Sequence, residues 1–243
     1  MTNKLELGVN IDHIATLRQA RFTPYPSILD AISLIEAAGA DAITLHLRED
    51  RRHIQDADVY AVRKHLNSRM NLEMAVTDEM LAIAKDVMPE DVCLVPEKRE
   101  ELTTEGGLDI IRHFDRTQKV TQALNEVGIN VSLFIEPNIE QIKKVAEIGA
   151  PKIELHTGTY ANATGEAKQN EFQRIIAATK FAQAEGIQVN AGHGLDYQNT
   201  HAIAAIPQLR ELNIGHAMIA RAIFVGIKAA TEEMLAIMHT ARQ

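Results

Sequence analysis

The chain has 243 residues, 46% of them hydrophobic, which suits one large core and excludes a disordered composition. A net charge of −8, no Trp and 4% aromatic residues leave no basic or stacking surface of the kind nucleic acids need. No apolar run reaches the roughly 20 residues of a membrane helix. The opening "MTNKLELGVNID" shows no signal-peptide pattern, and the single cysteine, Cys93, excludes an intrachain disulfide and a cysteine metal cluster. The expectation is a soluble cytoplasmic protein.

Short β-prone runs recur along the chain at 5–10, 42–47, 70–75, 92–96, 130–135, 152–157, 187–192 and 212–217. Helical stretches lie between them. "PSILDAISLIEAAGA" opens on Pro26 and Ser27 and stops near Gly39. "DADVYAVRKHL" can be capped by Asp56 and "TDEMLAIAKDV" by Thr77. "NIEQIKKVAEIGA" has Asn138 as its cap and Gly149 as its stop. "NEFQRIIAATKFAQAEG" and the run from Ala217 to Gln243 read as long amphipathic helices. Strand then helix, eight times without a linker, predicts a single (β/α)8 TIM barrel with additional short helices, spanning 1–243. A doubly wound open sheet competes, but no G-x-G-x-x-G follows the first run.

Side chains alternate along a strand. In "LGVNID", Leu7, Val9 and Ile11 pack outward while Asn10 and Asp12 point in. In "AITLHLR", Ile43, Leu45 and Leu47 pack outward while Thr44, His46 and Arg48 face inward or upward. Asn71 and Glu73, then Glu154 and His156, take the inward register of their strands. Ordinary barrel interiors are filled by branched apolar residues. Burying polar groups unpaired costs roughly 2–7 kcal/mol each. Either these groups satisfy one another as a polar plug, or they line a wet pocket at the carboxyl ends of the strands. The second reading fits where barrel active sites lie.

His13, His46, His53, His156, His193 and His216 all fall at or just past predicted strand ends, which suits acid–base work. Asp12, His13, His46, Glu154 and His193 could instead form a metal site, yet H-x-H and H-E-x-x-H spacings are absent. Glu73 and Glu154 are paired-carboxylate candidates, or else buried partners of Arg21 or Arg48. Arg48 and Arg21 can present planar forks to phosphate. Gly192, Gly194 and Gly215 suit a second anion site, where backbone N–H groups come close at a helix N-terminus. "LTTEGGLD" (102–109) reads as a lid. Lys98 is the only lysine placed for imine formation, and it lies past a proline, so an amine on the substrate is the better source.

The blocks "LGVNIDHIATLRQAR", "GADAITLHLREDRRHI", "MNLEMAVTDEML", "CLVPEKREELTTEGGLD", "IELHTGTYA", "VNAGHGLDY" and "ELNIGHAMIARA" resemble the pyridoxine 5′-phosphate synthase family across nearly the whole chain. The resemblance implies condensation of 1-deoxy-D-xylulose 5-phosphate with 3-amino-2-oxopropyl phosphate. Pyridoxine 5′-phosphate, inorganic phosphate and water are released, with no metal or organic cofactor. It implies His46 as proton acceptor, Glu73 as a second acid–base group, His193 as proton donor and Glu154 as transition-state stabiliser. Asn10, Arg21, Gly194, Gly215 and His216 match positions for the aminoketone phosphate and product. Asp12, His13, Arg48, His53 and Thr103 match those for the deoxyxylulose phosphate. The resemblance gives His156 no role, and it implies a homo-oligomer, an octamer. A different phosphosugar enzyme and a non-catalytic phosphometabolite-binding module are the rival readings.

Overall fold

The computed structural model describes residues 4–103 and 106–243. β1 (Glu6–Asn10) runs through α1 (Asp12–Gln19) and α2 (Ile28–Ala37) to β2 (Ala42–His46). α3 (Asp56–His65), β3 (Arg69–Met74), α4 (Asp78–Val87) and β4 (Asp91–Leu94) follow. A 3-10 turn at Arg99–Glu101 and α5 (Phe114–Asn125) lead to β5 (Asn130–Ile135), α6 (Ile139–Ile148) and β6 (Lys152–His156). The chain continues with α7 (Gly158–Asn162), α8 (Gly165–Ala184), β7 (Gln188–Gly192), α9 (Thr200–Ala204) and β8 (Leu209–Ile214). It finishes with α10 (His216–Val225) and α11 (Ile227–Thr240).

The eight strands close in sequence order into a parallel barrel, β8 pairing with β1 through Gly8↔Asn213. The predicted (β/α)8 TIM barrel is therefore the fold. Leu7, Val9, Ile43, Leu45, Leu72, Ile153 and Leu155 are fully or almost fully buried on the strand faces predicted to meet the helices. This layer between sheet and helices supplies the hydrophobic driving force.

Local signals set three of the helix starts. Ser27 accepts a hydrogen bond from the Asp30 amide, Thr77 from Met80, and Asn138 from Glu140 and Gln141. Gly149 ends α6 in the left-handed conformation. Three expectations need correction. Asp56 is the first residue of α3, and Gln55 is its cap, because the Asp58 carboxylate takes the Gln55 amide at 2.8 Å. The last helix is two, broken at Gly226 with φ +83°, although both pieces keep an apolar face. β8 begins upstream of the predicted run, at Leu209, and ends at Ile214, and α10 opens at His216.

The barrel interior is largely polar. Thr44 donates to Asn213 at 2.8 Å, and Asn213 donates to Glu154 at 2.8 Å and Glu211 at 3.2 Å. At the amino ends of the strands, Arg69 holds Glu6, Asp91 and Glu211, each at 2.6 Å, and Lys152 also pairs with Asp91. Ion pairs therefore close the bottom of the barrel and leave the carboxyl end as its open mouth. The ion pairs at the amino end involve other residues than the inward polar set read from the sequence.

Candidate active site

A cavity of about 700 Å³ opens at the carboxyl ends of the strands, within the size range of small-molecule sites. His46, Glu73, Glu154 and His193 all line it, as do Asn10, Asp12, His13, Arg48, Gly194, Gly215 and His216. Three predicted residues do not. His53 stands behind His46, with ring centroids 6.2 Å apart. Thr103 sits on the loop after β4, its hydroxyl 3.5 Å from Glu136. Arg21 is exposed in the turn after α1, beside the exposed Phe22.

The end of β2 carries the centre of the site. Asp12, the first residue of α1, accepts the His46 amide at 2.8 Å and the Asn10 amide group at 2.9 Å. His46 Nδ1 lies 3.9 Å from Glu73 Oε2, and His46 Nε2 lies 2.9 Å from Glu97 Oε1. Asp12, His46 and Glu73 each bring an atom within 4.8 Å of one another, as a cation site would require. The bonds of Asp12 and the Glu97 contact already account for the cluster by hydrogen bonding. Glu73 and Glu154 pair with neither Arg48 nor Arg21: Arg48 lies beside Asp50 and Glu97, and Asn213 holds Glu154.

β7 and β8 need their glycines for close approach. A Cβ on Gly192 would fall 2.3 Å from Glu154 Oε1, and one on Gly215 2.8 Å from the Asn10 Cβ. His193 adopts φ +77° and Gly194 φ +78°, so the imidazole rides on two successive left-handed residues. Thr157 fixes that turn, donating its hydroxyl to the Gly192 and His193 carbonyls at 2.8 and 2.7 Å. The His156 ring lies 4.9 Å from that of His193, and its Nδ1 is 3.1 Å from Glu136. The amides of His216 and Ala217 open α10 at the cavity wall, where the helix dipole favours an anion.

The predicted lid falls partly on Thr104 and Glu105, which lie outside the described residues. Its flanks are tied down: Leu102 bridges Leu108, Thr103 N–H donates to the Gly107 carbonyl, and Gly107 N–H donates to Glu136. Sequence reasoning missed Glu97, Glu136 and Asn213. Each lies in a stretch with a recognisable strand end, but their partners lie 51, 20 and 59 positions away.

Residues 7–240 match the family described as "Pyridoxal phosphate biosynthesis protein PdxJ". The chain belongs to the PdxJ family. It is 57% identical over 243 residues to a Legionella pneumophila (strain Corby) protein named pyridoxine 5′-phosphate synthase, covering 100% of this chain and 98% of that one. A protein of the same name from Thioalkalivibrio sulfidiphilus is 55% identical over 240 residues, 98% of either chain. Among solved structures, phosphoribosyl anthranilate isomerase from Thermus thermophilus superposes with a TM-score of 0.62 at 16% identity, covering 98% of this chain and 100% of that one. That likeness concerns the barrel alone.

The electrostatics of this PdxJ-family site follow from burial. Glu73 is pushed well above the usual carboxylate range by burial, then by the charges of Asp12 and Glu154. Burial also raises Glu154, to about 8; the Asn213 hydrogen bond opposes this and the Glu211 charge adds to it. Burial thus favours the protonated form of both groups. Burial, together with the charges of His46 and Arg48, lowers His53 to about 4. Desolvation lowers His193, helped by His156 and opposed by Glu136. His13 is lowered by burial and by His216. Burial thus favours the neutral forms of His13 and His193 beside the protonated forms of Glu73 and Glu154.

One consequence is measurable. Glu154 has a raised value in the folded state, so its protonated form stabilises the fold fully below the ordinary value of 4.5. That contribution is lost progressively as pH rises towards about 8. The lowered His53 and His193 act oppositely, but only below the ordinary histidine value of 6.5. Between about pH 6.5 and 8 the melting temperature of unliganded protein is expected to fall. Glu154→Gln is expected to flatten that fall, as read by scanning calorimetry at several pH values.

Proposed function

We propose that this chain is a pyridoxine 5′-phosphate synthase, acting over residues 1–243 as one catalytic domain. It joins 1-deoxy-D-xylulose 5-phosphate to 3-amino-2-oxopropyl phosphate and releases pyridoxine 5′-phosphate, inorganic phosphate and water. The observation that carries this reading is the meeting of His46, Glu73, Glu154 and His193 in one cavity with anion-binding groups on both sides. Family membership supplies the reaction.

The division of labour follows from position. Gly194, Gly215 and His216, with the α10 N-terminus and Asn10, suit one phosphate. Arg48 and His13 with Asp12 suit the other substrate, backed by His53 and by Thr103 of the loop after β4. A phosphate dianion arriving beside Gly194 favours the protonated form of His193, which prepares it as proton donor. His46 takes protons through the nitrogen that faces Glu73. Glu73, whose protonated form burial favours, returns protons to leaving hydroxyl or phosphate oxygens. Glu154, kept neutral deep in the cavity, donates a hydrogen bond where negative charge develops. Holding both reactants in one cavity supplies the proximity that the condensation needs.

The enzyme works as a homo-oligomer, an octamer by family likeness, in the cytoplasm. Phe22 and Tyr25 after α1, and Ile223 and Phe224 on α10, are exposed at 86%, 68%, 69% and 83% and offer apolar surface to a second copy. Arg21 is exposed next to Phe22, so its phosphate contact depends on the assembly. No helix among the described residues is long and apolar enough to cross a membrane.

The deciding experiment is a rate assay with both substrates in excess chelator. Product formation that needs both substrates and survives the chelator is expected. Turnover of a single substrate, or collapse on chelation, would point to a different phosphosugar enzyme. Ligand binding without product would leave a binding module only.

A further inference from the structure

His46 is the one imidazole in the cavity held on two sides by carboxyl groups. Its Nδ1 faces Glu73 at 3.9 Å. Its Nε2 meets Glu97 Oε1 at 2.9 Å, a distance typical of a short charge-assisted bond. Glu97 is not part of the cavity wall. It lies three positions past the end of β4, and its side chain is only 4% exposed. Its second oxygen accepts the Glu49 amide at 2.9 Å, and its own amide donates to the buried Glu101 at 2.9 Å. Glu97 is thus anchored at both its backbone and its carboxylate; its hydrogen bond to the cavity wall is the one to His46, with Arg48 farther off at 3.9 Å.

A carboxylate can accept hydrogen bonds but not donate them. Burial alone would raise Glu97, yet the hydrogen bonds from His46 and the Glu49 amide, with the charges of His46 and Arg48, hold it below its ordinary range. Glu97 is therefore ionised at neutral pH. The nitrogen it faces must carry the hydrogen, which leaves the lone pair of neutral His46 on Nδ1, towards Glu73 and the cavity. Asp12, Arg48 and His53 are the other charged or titratable groups around this ring. None of them makes a hydrogen bond to either ring nitrogen.

We propose that Glu97 is a positioning residue for the condensation, fixing the Nε2–H tautomer and the orientation of His46 so that Nδ1 is the proton-accepting atom. This rests on the proposed synthase reading for its kinetic consequence, though not for its structural one. The tautomer is set by the protein itself, before any substrate binds. Glu97 plays towards His46 the part that an orienting carboxylate plays in nucleophile–histidine–carboxylate arrangements.

The test uses the full-length enzyme with ¹⁵N-labelled histidine, comparing wild type with Glu97→Gln and Glu97→Ala. In wild type the His46 signals should show a protonated Nε2 and an unprotonated Nδ1 without substrate. Both variants should lose that pure pattern, because glutamine can also offer its amide N–H and alanine offers nothing. Loss of kcat by about 10–100-fold is expected, with KM for both substrates changed by less than about threefold. Glu97→Gln conserves volume and so keeps the test usable if Glu97→Ala unfolds. An Nδ1–H pattern in wild type would overturn the proposal. So would variants with unchanged kcat, or variants whose only change is a raised KM, which would reveal a loop anchor and no more. If wild type turned over neither substrate, the synthase reading would fail while the ¹⁵N pattern still judged Glu97.

Discussion

Glu73→Gln is expected to lower kcat by about 10²–10⁴-fold while leaving KM for both substrates within a few-fold of wild type. The reasoning starts from burial. Glu73 projects from β3 into the cavity, 3.4 Å from the Asn10 amide and 3.9 Å from His46 Nδ1. Among the described residues no arginine or lysine pairs with it, and burial, with Asp12 and Glu154 adding to it, favours the protonated form. Glutamine copies the shape and hydrogen-bonding capacity of that neutral acid but cannot release a proton. Binding should therefore survive and proton transfer should not. Steady-state kinetics decide the matter, and a near-normal kcat would leave Glu73 a spacer between Asp12 and Glu154.

His193→Gly is expected to remove turnover by a similar factor with almost no loss of stability. A non-glycine residue in the left-handed region costs about 1–2 kcal/mol. Thr157 and the Asn199 side chain, which donates to the Gly194 carbonyl at 3.1 Å, hold the turn in place despite that cost. Replacement by glycine relieves the strain but adds about 0.5–1 kcal/mol of chain entropy to be lost on folding. The two effects nearly cancel, so the melting temperature should move by no more than about 4 °C. A drop well beyond that would show that the ring, and not Thr157, maintains the turn. The placement explains why an imidazole sits between two glycines: the left-handed backbone aims the ring at the mouth, and Gly192 clears space for Glu154.

Much of this site was legible in the residues. Period-two alternation put Asn10, His46, Glu73 and Glu154 on the inner face of their strands, and the cavity wall contains all four. Asp12 reached the cavity for a different reason, as the first residue of α1 rather than a strand residue. Arg21 shows where the reading failed to specify a place. A turn residue has no face to alternate with, and its surroundings are set by what covers the exposed Phe22 and Tyr25. Glu97 lay in the open beside Lys98 in "PEKRE". Nothing local to that loop indicates that its carboxylate turns back to a histidine 51 positions earlier.

By itself the sequence determined the eight strand–helix units, the caps at Ser27, Thr77 and Asn138, and which side chains look into the barrel. Those properties depend on neighbours a few positions apart. Tertiary structure alone decided which acids lose their charge and which keep it. Glu154 meets Asn213 and Glu211, Glu73 meets Asp12, and Glu97 meets His46 only once the sheet has closed. Ionisation depends on burial and on charges within a few ångströms, and closure of the barrel is what creates both.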